Sequence, residues 1–247
     1  MVNLAFSATR LMTYEDCPFM FYKRVIKNEE NSKTLPLALG SATHLAIELI
    51  LKGVSKYDAV VKAFREYEID ELKMKDILDL VDNAPYQQFM RAAVEIEKKF
   101  RLPLDETGEY EVTGVIDVAD TKGYFLADWK TNRKVYTPTD TRQLALYAWA
   151  LGEMQGKREI LATLYFLRFY KQQRQSHLFT YWEMQEARIW ALKLTKEINK
   201  KNQLIKMFEG TPYEESTLKA NFPAKPSNRC SHCPFSVECF GMFSDFN

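Results

Sequence analysis

Apolar residues recur at helical spacing from Ala8 to Tyr14, directly behind Ser7, a residue suited to capping a helix start. Pro18 stands where a second short helix would begin, running through Phe19 to Ile26. After a polar loop at 28–34, a helix is expected over about 37–52, carrying His44 and Glu48 one turn apart on one face and ending at Gly53. Helical patterns follow at about 56–74 and 84–100. The texture changes at Arg101. Residues 109–119 are rich in β-branched and aromatic side chains, an Asp-Thr-Lys-Gly turn follows, and then YFLADWKT. This predicts a β-hairpin with Gly123 in its turn. Residues 139–153 return to a helical pattern. Two strand-like runs, 160–170 and 176–184, flank a polar QQRQ turn, and a long helix covers about 184–208. Residues 211–229, with three prolines, read as a loop delivering a cysteine cluster. The order of helices, hairpin, helix, hairpin and helix predicts an α/β fold with a small central sheet flanked by helices. No stretch resembles a linker, so residues 1–247 are expected to form a single domain.

Composition narrows the classes of function. The 247 residues are 46% hydrophobic, enough for a real core, and the net charge is +1. No global positive field therefore recruits a polyanion, and a nucleic-acid site has to rest on a local basic patch. No apolar run approaches the roughly 20 residues that span a bilayer. The opening MVNLAFSATRLMTYEDC lacks a basic segment followed by an apolar one. The protein is expected to be intracellular, in the cytoplasm, with no membrane partner. Four cysteines in a reducing compartment then favour metal or cluster binding over disulfides.

The hairpin carries the first candidate chemistry. Asp117 interrupts the apolar run GVIDVAD, and Asp128 and Lys130 lie two apart in LADWKTN, hence on one face of a strand. A carboxylate in an apolar run is costly unless a cation or hydrogen bonds compensate it. Two carboxylates can hold a divalent ion, and a lysine beside them can orient water or stabilise charge on phosphoryl oxygens. The carbonyl of Trp129 would offer a further ligand. The other reading is a surface pair, Asp128 with Lys130, and an Asp117 near a turn. His44, on an otherwise apolar helix, is either a satisfied core histidine or a nitrogen ligand, which would favour Mn2+ as much as Mg2+. Glu48 is either a ligand to a second ion or a solvated charge. On the helix that follows, Gln143 and Tyr147 share a face beside Arg142, placed to hold a substrate backbone or water, or simply amphipathic.

Cys230, Cys233 and Cys239 stand 213 residues or more after Cys17. Zinc sites more often pair two short-spaced units, whereas a [4Fe-4S] cluster needs four thiolates. The spacing suits a cluster joining the chain's ends, with zinc and no metal as alternatives. His232 lies inside the motif but is not needed. Arg10, Lys23, Arg24, Arg133 and Lys134 are candidates for a local positive patch. Phe19, Phe21 and Tyr22 are either core residues beside the cysteines or stacking platforms for unpaired bases.

Taken together, Cys17, Gly40-x3-His44, Gly114-x2-Asp117, Asp128-x-Lys130-Thr131, Gln143-x3-Tyr147 and Cys230-x2-Cys233-x5-Cys239 resemble the RecB-like branch of PD-(D/E)XK nucleases with an iron–sulfur clasp. This branch includes the nuclease domains of recombination helicase–nucleases and the CRISPR-adaptation exonucleases. The resemblance runs from Ser7 to Phe240. It implies a restriction-endonuclease-like core with a small mixed sheet. It implies Mn2+ or Mg2+ held by His44, Asp117, Asp128 and the Trp129 carbonyl, and Lys130 as catalytic lysine. Gln143 and Tyr147 would support the active site, and Cys17, Cys230, Cys233 and Cys239 would hold a structural [4Fe-4S] cluster. It also implies hydrolysis of DNA phosphodiesters, on single strands or ends, with exonuclease action favoured over endonuclease action. Asp128, rather than Glu, is the acid of the recombination branch. The sequence has no Gly-x4-Gly-Lys-Ser/Thr phosphate loop, so a motor or a recombination or CRISPR protein would be encoded separately. The competing functions are a non-catalytic iron–sulfur module that binds DNA or a partner, and a zinc-stabilised scaffold.

Overall fold

The computed structural model describes residues 5–29 and 34–243, in which the first helix starts where its cap requires. Ser7 is extended, and its Oγ accepts from the Arg10 amide at 3.3 Å, opening α1 (Ala8–Asp16). Pro18, with no amide hydrogen to leave unsatisfied, begins α2 (Pro18–Phe21), which widens into a π-helical turn over Tyr22–Ile26. Three helices follow, α3 (Leu35–Leu51), α4 (Lys56–Glu66) and α5 (Met74–Asn83). The helix expected over 56–74 thus ends at Glu66, and the next begins only at Met74.

The helix expected over 84–100 is not formed. A 3₁₀ turn at Tyr86–Gln88 leads into strand β1 (Val94–Pro103). Pro85 cannot continue a helix, and Val94, Ile96, Phe100 and Leu102 follow a period of two. Next come β2 (Glu111–Asp120), β3 (Phe125–Lys130), α6 (Arg142–Gln155), β4 (Glu159–Phe166), β5 (Arg174–Thr180) and α7 (Tyr181–Phe208). The five strands form one sheet in chain order. The pairs β2–β3 and β4–β5 are antiparallel and β3–β4 is parallel, with α6 supplying the crossover that a parallel pair requires. This is the expected mixed sheet flanked by helices. The proline-rich tail departs from expectation: 214–221 is helix α8 (Glu214–Asn221), because Leu218 and Phe222 lie one turn apart and both are buried. Helix α9 (Ser236–Phe243) follows the cysteine loop.

The chain divides into two units, with boundaries inside β1, β2 and α7. One contains residues 33–100 and 114–188. Its core joins Ala42, Ala46 and Ile47 of α3, helices α4 and α5, and Val118, Ala127, Trp129 and Tyr165 of the sheet. The other contains the two chain ends, 101–113 and 189–247. An aromatic cluster centres it, with Phe21 against Phe6 at 5.8 Å, Tyr14 at 5.3 Å and Phe222 at 6.5 Å between ring centres. Phe19, Phe21 and Tyr22 are all buried there, so they are core residues and not base-stacking platforms.

Candidate metal centre and cysteine cavity

Gly123, at a φ of +78°, makes the turn between β2 and β3, where a residue with a Cβ would be strained. Val118 then pairs with Ala127 and Ala119 with Leu126. Continued by one pair, this register sets Asp117 against Asp128 on one face. Both carboxylates are buried. Asp117 Oδ2 accepts from the Trp129 amide at 2.7 Å and lies 3.3 Å from His44 Nδ1 on α3. Lys130 Nζ, largely buried, stands 2.7 Å from Asp128 Oδ2 and donates to Gln143 Oε1 at 2.9 Å. Gln143 Nε2 in turn donates to the Tyr147 hydroxyl at 3.3 Å. Six of the sequence candidates, His44, Asp117, Asp128, Lys130, Gln143 and Tyr147, therefore form one connected site. Trp129 joins it through its amide, while its indole packs on Phe89 at 5.7 Å and Tyr165 at 5.3 Å.

Two glycines hold this arrangement. A Cβ on Gly114 would come within 2.5 Å of the Phe100 ring and 3.0 Å of the Tyr147 ring. Only glycine lets those two rings meet edge to face, 5.6 Å apart, and so fixes Tyr147 behind Gln143. A Cβ on Gly40 would lie 3.3 Å from Thr131 Oγ1, so α3 packs closely on the residue after Lys130.

The structure adds one residue that sequence reasoning missed. Glu97, on β1, places a carboxylate oxygen with His44 and Asp117 so that all three potential ligand atoms lie within 4.8 Å of one another. Its φ is +52°, one of two non-glycine residues in the left-handed region among those described. Strict strand alternation would turn Glu97 away with Glu95 and Lys99, but the left-handed backbone re-aims it, a strain that proteins retain at functional sites. Asp128 stands outside this trio, engaged by Lys130. Glu48, half-buried, pairs with Lys52 at 2.5 Å.

The electrostatics favour a cation at this point. Burial works against a charged His44, yet the charges of Asp117 and Asp128 carry its pKa up to about 9. Burial and the negative charges of Asp117 and Glu48 push Glu97 up to about 7. Asp117 is buried too, but His44 and the Trp129 amide hold its pKa below the ordinary carboxylate value. Burial raises Asp128, with Lys130 and Asp117 pulling in opposite directions. Asp128 Oδ2 has an ion-pair partner but no directed hydrogen bond. Three carboxylates against one ammonium leave two uncompensated negative charges when His44 is neutral. A divalent cation with oxygen and imidazole ligands fits that donor set.

The four cysteines lie in the other unit. They line a single cavity of about 360 Å³ with Phe19, Met20, Phe240 and Phe243. Cys17 sits between α1 and α2, Cys230 on a 3₁₀ turn (Asn228–His232) capped by Ser227, Cys233 just after that turn, and Cys239 on α9. Burial and the proximity of the other three sulfurs raise the Cys239 thiol. Ion pairs from Lys23 to Glu29 and Glu238, and from Arg229 to Asp16, tie the same segments together. Lys23 is thereby buried and neutralised, so it supplies no open positive patch. Among the described residues no three sulfurs fall within 4.8 Å of one another. A tetrahedral zinc, with sulfurs about 2.3 Å from the metal, would draw them closer than that.

Residues 5–240 match the family model of the PD-(D/E)XK nuclease superfamily, and the chain belongs to that superfamily. Its members are nucleases that use divalent metals such as Mg2+ or Mn2+, and membership points to metal-dependent nuclease activity. The fold is consistent with the restriction-endonuclease-like architecture. Among solved structures, the crystal structure of SSO0001 is similar over 92% of this chain and 96% of its own, with 12% identity and a TM-score of 0.38. No curated protein matches the chain. Among the described residues no helix is long and apolar enough to cross a membrane.

Proposed function

We propose that this protein is a metal-dependent DNA nuclease of the RecB-like branch, acting on single strands or DNA ends. The observation that carries this reading is the clustering of His44, Glu97 and Asp117 around one point, beside the buried Asp128–Lys130 pair. His44, Asp117, Asp128 and the Trp129 carbonyl would hold Mn2+ or Mg2+, with Glu97 added to the ligand set. The bound ion would polarise the scissile phosphodiester and lower the pKa of a water. Lys130, kept charged by Asp128, orients that water and faces the charge developing on the phosphoryl oxygens. Gln143 fixes the Lys130 ammonium, and Tyr147 fixes Gln143. Asp117 holds His44 with its Nδ1 towards the carboxylate.

Cys17, Cys230, Cys233 and Cys239 would hold a [4Fe-4S] cluster of structural role, which the cavity's size and apolar wall support. DNA is the partner this reading requires. A helicase, recombination or CRISPR protein is the protein partner that fits this reading. Repair, recombination, replication and CRISPR-type processing are the settings that match. Digestion of end-labelled linear and circular single-stranded DNA with Mn2+ tests the reading. Stepwise shortening of the linear strand with an intact circle is expected, because exonuclease action is favoured. Cut circles would assign endonuclease action instead. Intact DNA in both arms, with binding retained, would leave a non-catalytic module.

A further inference from the structure

The β3–β4 pair is parallel, and both strands end at one place. Ligands of α/β sheets bind at the carboxyl ends of such strands. Here Lys130 is the last residue of β3, and a cavity of about 530 Å³ opens immediately beyond it. That volume lies within the about 300–1,000 Å³ of small-molecule sites. Its floor is apolar, from Leu35, Pro36 and Leu39 at the start of α3 and Leu80 of α5. Its rim is polar. Arg133 extends from the loop after β3, and Arg168 follows β4, its Nε donating to the Thr131 carbonyl at 2.8 Å. That bond joins the two strand ends and leaves the remaining guanidinium donors of Arg168 for a ligand. No hydrogen bond or ion pair engages Arg133 among the described residues. Across the cavity, α5 presents Asp76 and Asp79. Asp79 is taken by Lys75 at 2.5 Å, whereas Asp76 has no such partner.

We propose that this cavity seats the nucleotide next to the scissile phosphate and discriminates its base. The inference rests on the nuclease reading of the neighbouring centre. Connectivity sets the distance. Arg133 is three residues from Lys130, hence at most about 10 Å away. Leu39 is five residues from His44, about 7.5 Å along the helix. Gly40, packed on Thr131, closes the wall between them. The chemistry sets the ligand. Two arginines match a phosphate, which they bind through paired N–H donors. An apolar floor takes the face of a base, as pockets for unstacked bases do. A carboxylate is an acceptor only, and its best match on a base edge is an exocyclic amino group, which offers two N–H donors. Cytosine, adenine and guanine carry one, whereas thymine offers only its single ring N3–H. A bare phosphate would leave the floor unused, and an apolar ligand would leave the arginines unpaired.

The test is calorimetric titration of the full protein with 5′-dCMP and with 5′-dTMP, in EDTA so that the metal centre cannot hold their phosphates. The expected result is dCMP bound about fivefold or more tighter than dTMP, in keeping with one amino–carboxylate hydrogen bond. Asp76→Ala, which removes the acceptor, abolishes the preference. Arg133→Ala weakens both nucleotides about tenfold, the loss of a charge-assisted contact. Thermal melting checks that both variants are folded, and each alters only a solvent-accessible side chain of the rim. Equal binding of the two nucleotides, binding insensitive to Arg133→Ala, or no binding would each overturn the proposal. Mn2+-dependent cleavage of DNA by the wild type, run in parallel, separates the two readings. Cleavage without nucleotide binding removes the cavity proposal alone, and selective binding without cleavage removes the nuclease reading while leaving a nucleotide site.

Discussion

The metal centre and the cysteine cavity are both clusters of ligating groups, but they are built in opposite ways. The centre draws Asp117, Asp128 and Lys130 from one hairpin of 14 residues, 117–130, and each is already held by a neighbour: Asp117 by His44 and Trp129, Lys130 by Asp128 and Gln143. The cavity draws its thiols from segments more than 200 residues apart, and among the described residues only the Ser227 amide donates to one of them, Cys230, at 3.3 Å. One site is held together by hydrogen bonds and ion pairs among its own residues. The other is a space with reactive walls, whose occupant would hold it together. Ions removed from the first should leave the fold intact. Loss of a ligand from the second should loosen the chain ends.

The largest effect is expected at Lys130. Lys130→Ala should lower the cleavage rate by about 10³-fold, the scale of losing electrostatic stabilisation in a water-poor site. It should also cost about 3–5 kcal/mol of stability by leaving Asp128 buried and unpaired. Rate and melting temperature should therefore fall together, whereas Asp117→Asn should lower the rate to a similar extent with a much smaller thermal shift. Next comes the cavity. Cys239→Ala should remove the visible absorbance of a thiolate-bound iron–sulfur cluster and lower the melting temperature, without changing metal affinity at Asp117. A colourless wild type containing zinc would reverse that half of the comparison.

Gly114→Ala should have an intermediate effect. Its Cβ would force Phe100 and Tyr147 apart at a cost of about 1–3 kcal/mol. The cleavage rate should fall with it, through Gln143 and Lys130, while the Kd for Mn2+ stays nearly constant. A rate unchanged at normal stability would show that Tyr147 does not position the lysine. The smallest effect is in pH. Without metal, Glu97 keeps its proton to about 7 and His44 to about 9. Both folded values lie above the unfolded ones, so the stability contributed by the two protons is present at low pH. It is lost through pH 7 for Glu97 and through pH 9 for His44. Mn2+ competes with those protons, so its Kd should tighten as pH rises from 6 to 9, with proton release seen by calorimetry in buffers of different ionisation enthalpy. Affinity independent of pH would remove Glu97 and His44 from the ligand set.

Much of the centre was legible in the sequence, because its parts are local. Asp117, Asp128 and Lys130 share one hairpin, and Gly123 marks its turn. His44 stood out as the one histidine on a largely apolar helix, α3. Glu97 was hidden for two reasons. Phe89, Ile96 and Phe100 imitate a helical stripe, which masked the period of two in β1. The residue also reaches the site only through a left-handed backbone that tertiary contacts impose. Helix α8 was obscured by the prolines on either side of it, although Leu218 and Phe222 mark its buried face. The aromatics after Cys17 were ambiguous in sequence, and burial assigns them to the core. The cavity beyond Lys130 had no signature at all, since its walls come from α3, α5 and the ends of two strands.

The most direct measurement is single-turnover cleavage of end-labelled single-stranded DNA with Mn2+, comparing the wild type with Asp117→Asn at equal protein and DNA concentrations. The account predicts Mn2+-dependent cleavage by the wild type, abolished by EDTA, and a rate at least about 10³-fold lower for the folded Asp117→Asn protein. Equal rates in the two proteins, or cleavage that persists in EDTA, would contradict it.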